Sequence, residues 1–362
     1  MKVSDIPRLR VASQLIAPPS SADPAAIVGR LGAVQAQDFL GSLWALGLRR
    51  RGAVEADIEA AIAAGSIVRS WPLRGTLHFV AADDLRWMLA LLAPRMINRS
   101  AGRHRQLGLD AAVFARCRKV FARVLRDGQP RSRPTLYAAL AAAGIASDES
   151  RGLHILGQLA HEGMICFGPR AGRQPTFVLL DAWIPPTPTR PRDEALGELA
   201  VRYFATRGPA TVADFAWWSG LPVRDARAAL ELAGDRLRAE TIDGQPYWRG
   251  GDAGRPSRSA AVHLLPAFDE YTVAYRDRTA VLDPAHARAV NQGGGMLNPV
   301  VVADGRVVGT WARSLGAQAV TVAVRPFGRL SRATTDAVEA AAERYRRFLG
   351  LERVHCEVPA GR

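Results

Sequence analysis

Arg133-Pro134-Thr135-Leu136 through Gly144, then Ser150 to Gly163, then Met164-Ile165-Cys166-Phe167, then Thr176-Phe177-Val178-Leu179-Leu180 set the grammar of this chain. The pieces read as a short apolar helix, a glycine turn, a second helix, and two strands around the charged tip from Gly168 to Pro175. The same order returns as Pro209-Ala210-Thr211-Val212 through Gly220, Val223 to Gly234, and Leu237 to Trp248 folded about Asp243-Gly244. That is the element order of a winged helix-turn-helix, whose second helix enters a DNA groove. A repeated unit of this kind points to duplex DNA as the partner.

Outward from the repeats, the chain reads as α+β. Asp23-Pro24 is an N-cap and first-turn pair, and Ile27, Val28, Leu31 and Val34 form a helical stripe. Further helices are expected over Leu40 to Leu48, Val54 to Ala64 and Asp83 to Met96. Ile67 to Val80 reads as paired strands around Pro72 to Gly75, a third and degenerate wing. Ile184 to Pro191 holds four prolines in eight residues, which forbids a helix interior and marks a linker. After Gly250 a Gly/Ser/Arg-rich stretch leads into strands at Ala261 to Ala267, Val300 to Val302, Val307 to Trp311 and Ala319 to Val324. A helix from Thr334 to Leu349 closes the chain, and Asp304-Gly305 is its strongest hairpin signal. The expected segments are an N-terminal helical region with the first winged helix (1–128), a second winged helix (129–183), the linker (184–192), a third winged helix (193–252) and a small barrel-like β-domain with the terminal helix (253–362).

The composition agrees with a nucleic-acid partner. A length of 362 residues allows two or three domains with sizeable cores, and the formal charge is +14. Nearly all of the positive charge is arginine, Lys2 and Lys119 being the only lysines. A GC-rich genome explains arginine over lysine, but not the excess over Asp and Glu; phosphate neutralisation does, with a merely solvated basic surface as the other reading. Cys117, Cys166 and Cys356 are far apart and odd in number, as expected of reduced thiols in the cytoplasm, where the protein would associate with a bacterial nucleoid. No apolar signal region and no run of 18 apolar residues occur, so no membrane role is expected. His104, His154 and His263 are isolated. No Walker loop, dinucleotide fingerprint or zinc-spaced Cys/His set appears, so neither metal nor cofactor is expected.

Val34-Gln35-Ala36-Gln37-Asp38 places polar side chains at the end of an apolar helix. They read either as ordinary helix termination or, if the helix frays, as two glutamines pointing the same way on extended backbone. Arg69, Ser70, Trp71 and Arg74 sit near the first wing. There the arginines could hold phosphates and Trp71 act as a wedge, or Trp71 could simply be core. Tyr271, Arg276 and Arg278 mix with acids, leaving DNA contact and internal salt bridges equally open. Asn298 and Arg313 bracket the Asp304-Gly305 hairpin, which is expected to probe a DNA groove. Trp217-Trp218 reads as core of the third winged helix.

Four blocks together resemble the AlkZ/YcaQ family of bacterial winged-helix DNA glycosylases: Gly32 to Asp38, Arg69 to His78, Leu264 to Tyr271, and Gly309-Thr310-Trp311. The resemblance spans nearly the whole chain. It implies three winged helices and a small C-terminal β-domain forming a C-shaped DNA-binding surface. It also implies a catalytic signature of glutamine, an apolar residue, then glutamine or aspartate. Gln35, Ala36 and Gln37 match the two-glutamine version, associated with bulky alkylated purines and interstrand crosslinks, with alanine in place of a larger aliphatic residue.

The resemblance gives Gln35 and Gln37 the catalytic roles. Asp38 would be accessory, adding negative potential near the sugar, or else would be a helix cap or arginine partner. Lysine scarcity argues against a Schiff base and so for monofunctional hydrolysis. Tandem winged helices in one chain remove the need for a dimer, so a monomer acting on damaged double-stranded DNA is expected. The alternative is a non-catalytic winged-helix regulator.

Overall fold

Short-range signals account for most element boundaries. In the second helix–helix–hairpin stretch, Thr211 and Asp214 form a reciprocal capping box that starts the helix Val212–Ser219. Gly220, at φ +74°, ends it. The helix Val223–Ala233 follows, then the antiparallel strands Leu237–Ile242 and Gln245–Gly250, turning at Asp243 and Gly244 with φ +47° and +76°. The computed structural model describes residues 2–148, 150–251 and 261–359. Most of the Gly/Ser/Arg-rich stretch expected after Gly250 lies outside them.

The chain forms a mixed α/β structure with two compact units, one of residues 59–195 and one of 1–58 with 196–362. The expected 1–128 segment therefore contributes to both. In the unit of residues 59–195, the helices Arg133–Ala142 and Arg151–His161 precede the strands Ile165–Ala171 and Gln174–Leu179, as the sequence indicates. The strands of this unit run in the order Thr76–Ala81, Ile67–Leu73, Ile165–Ala171, Gln174–Leu179, Arg131–Ser132. Phe121, Leu136, Leu140, Leu156 and Phe177 form a buried core beneath them. The helix expected to end at Met96 continues from Ala82 to Gln106 and carries Pro94 within it. Asp83 and Asp84 in its first turn, and Arg103, His104 and Arg105 in its last, suit the helix dipole.

In the other unit the strands are ordered Arg353–Glu357, Ala319–Pro326, Arg306–Leu315, Val300–Ala303, Val262–Leu265. The order ends in two edges, so this sheet is open rather than a closed barrel. Its first pair is parallel, formed by a strand after the terminal helix that was not among the expected elements. The helix Arg332–Leu349 buries Val338, Ala342, Tyr345 and Phe348. Trp44 lies 4.9 Å from Tyr345 and 5.1 Å from Phe348, and its indole N–H donates to Leu264 O at 2.7 Å. Gly47 is required there, because a Cβ would stand 2.3 Å from the Phe348 ring.

His263, on the inner edge strand, is buried, and its pKa falls from 6.5 to about 4. Desolvation is the main cause; Arg344 and Arg49 push the same way and Asp269 opposes them. An unfolded chain binds a proton near pH 6.5 that the folded chain refuses until about pH 4. Stability contributed by the neutral ring is thus complete above pH 6.5 and lost as the pH falls toward 4. Over the full window the loss is about 3 kcal/mol. The difference between urea midpoints at pH 7 and pH 4.5 should shrink in His263→Gln; an unchanged difference would contradict this account.

Candidate active site and nucleic-acid interface

The helix Pro24–Leu31 begins with Asp23 accepting from Ala26 N and stops at Gly32, whose φ is +76°. Only glycine enters that conformation without strain. Val34 therefore leaves the helical stripe expected of it, and Val34–Gln35 is a short extended strand. Asp38 begins the next helix, Phe39–Gly47. Gln35 is 8% exposed, Ala36 is fully buried and Gln37 is on the surface. With Ala36 packed inside, the pair of glutamines brackets a small buried residue between two sharp changes of chain direction.

Beneath this segment lies a buried polar network. The Gln35 backbone N–H donates to Glu270 Oε1 at 2.9 Å. Glu270 Oε2 accepts from Arg207 Nε at 3.0 Å, Arg207 Nη2 at 2.6 Å and Trp218 Nε1 at 2.9 Å. Arg207 also donates to Leu31 O and Ala33 O, at 2.7 and 2.8 Å. One ion pair thus fixes the backbone from the end of the helix to Gln35. Both of its partners are fully buried, where charge-assisted hydrogen bonds are strong and any orphaned charge is costly.

The network continues. The Tyr275 hydroxyl donates to Arg207 O and accepts from Gln14 Nε2, while Gln14 Oε1 accepts from Arg49 Nη2. Arg49 closes a bidentate pair with Asp269 at 2.7 and 2.8 Å. Although burial disfavours its charge, Asp269 and Glu270 hold the Arg49 pKa above its ordinary value. Burial pushes the Tyr275 hydroxyl up to about 12, so it stays a neutral donor. The adjacent acids Asp269 and Glu270 therefore each capture one arginine. The acids Asp269 and Glu270 of that run thus serve internal salt bridges.

Asp38 uses its carboxylate in the same unit. It makes no side-chain capping bond; its Oδ2 lies 3.4 Å from Arg313 Nη2, while Arg313 Nη1 donates to Tyr345 OH at 2.9 Å. Gly41 leaves room for this, since a Cβ there would meet Asp38 Oδ2 at 2.5 Å. Arg313, on the strand that follows the Asp304-Gly305 turn, joins Asp38 to the terminal helix.

One expected DNA contact, Tyr271, is corrected, and the structure locates the others. Tyr271 is fully buried and its hydroxyl donates to Gly305 O, so it has no surface to offer DNA. The Asp304-Gly305 turn pairs Asp304 with Arg8 and packs Gly305 on Pro7, where a Cβ would come within 2.6 Å. That turn is docked on the N-terminal segment through Arg8 and Pro7. Asn298 braces a different hairpin, Asn291–Gly293 with Met296–Leu297, by donating to Ala289 O and accepting from Gln292 Nε2. Arg278 is partly buried with Nε on Thr272 O, and burial lowers its pKa, whereas Arg276 is exposed.

In the unit of residues 59–195, Trp71 packs against Phe167 at 4.9 Å, and the Arg69 guanidinium lies 4.8 Å over the same ring. Trp71 thus flanks the core. Ser70 is buried, and Arg74 occupies the hairpin turn at φ +54°. The Trp217-Trp218 pair splits: Trp218 is core as expected, and Trp217 is 48% exposed. Arg207 was missed altogether because nothing in its sequence neighbourhood marks it; only the fold reveals its partner.

Among the described residues no helix is long and apolar enough to cross a membrane, and no group of three or more His, Cys, Asp or Glu is placed to hold a metal ion.

Comparison with known proteins places the chain in a family. A family model described as DNA glycosylase AlkZ-like matches residues 28–348. An interstrand DNA cross-link repair glycosylase from Streptomyces sahachiroi is 28% identical over 364 residues, covering 95% of this chain and 96% of that protein. The solved structure of the Streptomyces sahachiroi DNA glycosylase AlkZ superposes with a TM-score of 0.80 at 26% identity, covering 99% of this chain and 100% of that one. The matched span includes the glutamine segment and both acids beneath it, and the chain belongs to the AlkZ-like DNA glycosylase family.

Proposed function

We propose that the protein is a monofunctional DNA glycosylase that hydrolyses the N-glycosidic bond of alkylated purines in double-stranded DNA, acting as a monomer without a cofactor. Bulky N7 and N3 adducts are the preferred substrates, and interstrand crosslinks, the lesions named for the Streptomyces sahachiroi relative, fall in the same chemical class. The helix–helix–hairpin stretches are read as winged helices. The observation that carries the proposal is the Arg207–Glu270 clamp, which holds Gln35 from its backbone and leaves the next glutamine, Gln37, on the surface.

The chemistry follows from what an amide can do. Glutamine offers one carbonyl acceptor and two N–H donors and does not titrate near neutrality. In the proposed reaction the C1′–N9 bond breaks, and its electron pair neutralises the positive charge of the alkylated purine. The amide carbonyls of Gln35 and Gln37 orient a water and stabilise the oxocarbenium ion by their dipoles. Water oxygen bonds to C1′ and its proton passes to solvent, leaving an abasic sugar. An unmodified base would need acid assistance, which two amides do not supply. Paired with Arg313, Asp38 is better read as an accessory residue that helps orient the loop.

Lys2 and Lys119 are both exposed, and Lys119 lies on the helix Ala111–Val124. They are the only lysines of the sequence, and this scarcity of Schiff-base amines favours hydrolysis over a lyase step. Duplex DNA with a single 7-methylguanine should lose that base and keep its strand intact until hot alkali is added. Strand scission without alkali would overturn the monofunctional reading. No base release, together with a footprint on a defined operator, would replace it with the regulator reading.

A further inference from the structure

The segments that carry Trp217 and Arg276 are tied together by hydrogen bonds, beside the helical turn that holds Gln35. The helix Val212–Ser219 advances about 100° per residue, so consecutive tryptophans face different surroundings. Trp218 turns inward to Glu270. Trp217 turns outward, and its Nε1 donates to Val273 O at 3.1 Å, which anchors the indole while the residue stays exposed. Asp214, one turn earlier, accepts from Arg276 N at 2.9 Å and Asp277 N at 3.3 Å. These bonds tie the helix to the chain around Arg276, whose side chain is exposed.

The helical turn Glu270–Val273 links this junction to the candidate site. Its first residue holds the Gln35 backbone and its last holds the Trp217 indole. An exposed indole anchored by its N–H, and an exposed arginine on the segment bonded to the same helix, can serve the two ends of a nucleotide. The ring can stack on any base, and the guanidinium can neutralise a phosphate.

We propose that Trp217 and Arg276 form a platform for one unstacked nucleotide of the DNA, the base on the indole and the phosphate on the guanidinium. The platform rests on the reading of the chain as a duplex-DNA enzyme. It supplies a binding contact beside the site in addition to the glutamines, and it selects helices already opened at a base step.

The test uses the full chain and undamaged DNA, so that it reads independently of catalysis. A duplex with a one-nucleotide bulge and its fully paired counterpart are titrated with the parent, Trp217→Ala, Trp217→Phe and Arg276→Ala proteins, each checked by thermal melting. The parent should bind the bulged duplex roughly tenfold more tightly than the paired one. Trp217→Ala should lose that preference, and Trp217→Phe should keep most of it. Arg276→Ala should lower the slope of log affinity against log salt by about one. A parent without bulge preference, or a Trp217→Ala protein that retains it, would overturn the platform. Base release from 7-methylguanine duplex, measured separately on the parent, tells failure of the platform from failure of the glycosylase reading.

Discussion

Gln37→Ala is expected to release 7-methylguanine from duplex DNA about 100- to 1,000-fold more slowly than the parent, the range found when one preorganised dipole is removed from a reaction site. Gln37 is exposed, so truncation opens no cavity and stability should change by no more than about 0.5 kcal/mol. Binding of undamaged duplex should be unchanged, since a neutral amide contributes no phosphate neutralisation. Single-turnover release with saturating enzyme separates the chemical step from binding. Gln35→Ala should lose a similar factor, but Gln35 is largely buried and its truncation also affects packing. Gln37 is therefore the cleaner probe. If both single variants release base at the parental rate, the water-positioning mechanism is excluded.

Glu270→Gln should have the largest structural effect of any single substitution near the site. Among the described bonds, Oε1 accepts from the Gln35 N–H and Oε2 from Arg207 and Trp218, donors that cannot become acceptors. An amide keeps only one acceptor oxygen. Its NH2 group must then face either the Gln35 N–H or the donors of Arg207 and Trp218. It also leaves the buried Arg207 charge uncompensated, and removing one partner of such a pair costs about 3–5 kcal/mol. That is a large fraction of the roughly 5–15 kcal/mol that holds a typical domain together. Urea denaturation should show the loss. Base release by the protein that remains folded should also fall, because Ala33 to Gln35 would no longer be held in register. Parental stability in Glu270→Gln would mean that the clamp does not hold the site.

The repeated elements were legible because their signals are local. Thr211 and Asp214 cap a helix through atoms three residues apart, and the turns at Gly220 and Asp243-Gly244 are dictated by allowed φ. The hairpin at Asp304-Gly305 was also legible as a turn, but its surroundings were not. A turn signal gives the backbone path and says nothing of Pro7, Arg8 or Tyr271, which arrive from distant parts of the chain. Likewise the parallel strand Arg353–Glu357 alternates polar and apolar residues, but over only five positions, too short a run to mark a strand without its partner. Its partner Ala319–Pro326 determines it.

By itself, the sequence determined the helix–helix–hairpin repeats, the basic character of the chain and the Gln35-Ala36-Gln37 motif, all of which depend on neighbouring residues or on composition. Only the tertiary structure decided that Gly32 turns Val34 out of its helix register into extended backbone, that Glu270 grips Gln35 from 235 residues away, and that Tyr271 is inside while Trp217 is outside. The reason is physical. A buried charge is stable only where a partner and further donors converge on it, and that convergence is a property of the packed chain, absent from any short stretch of it.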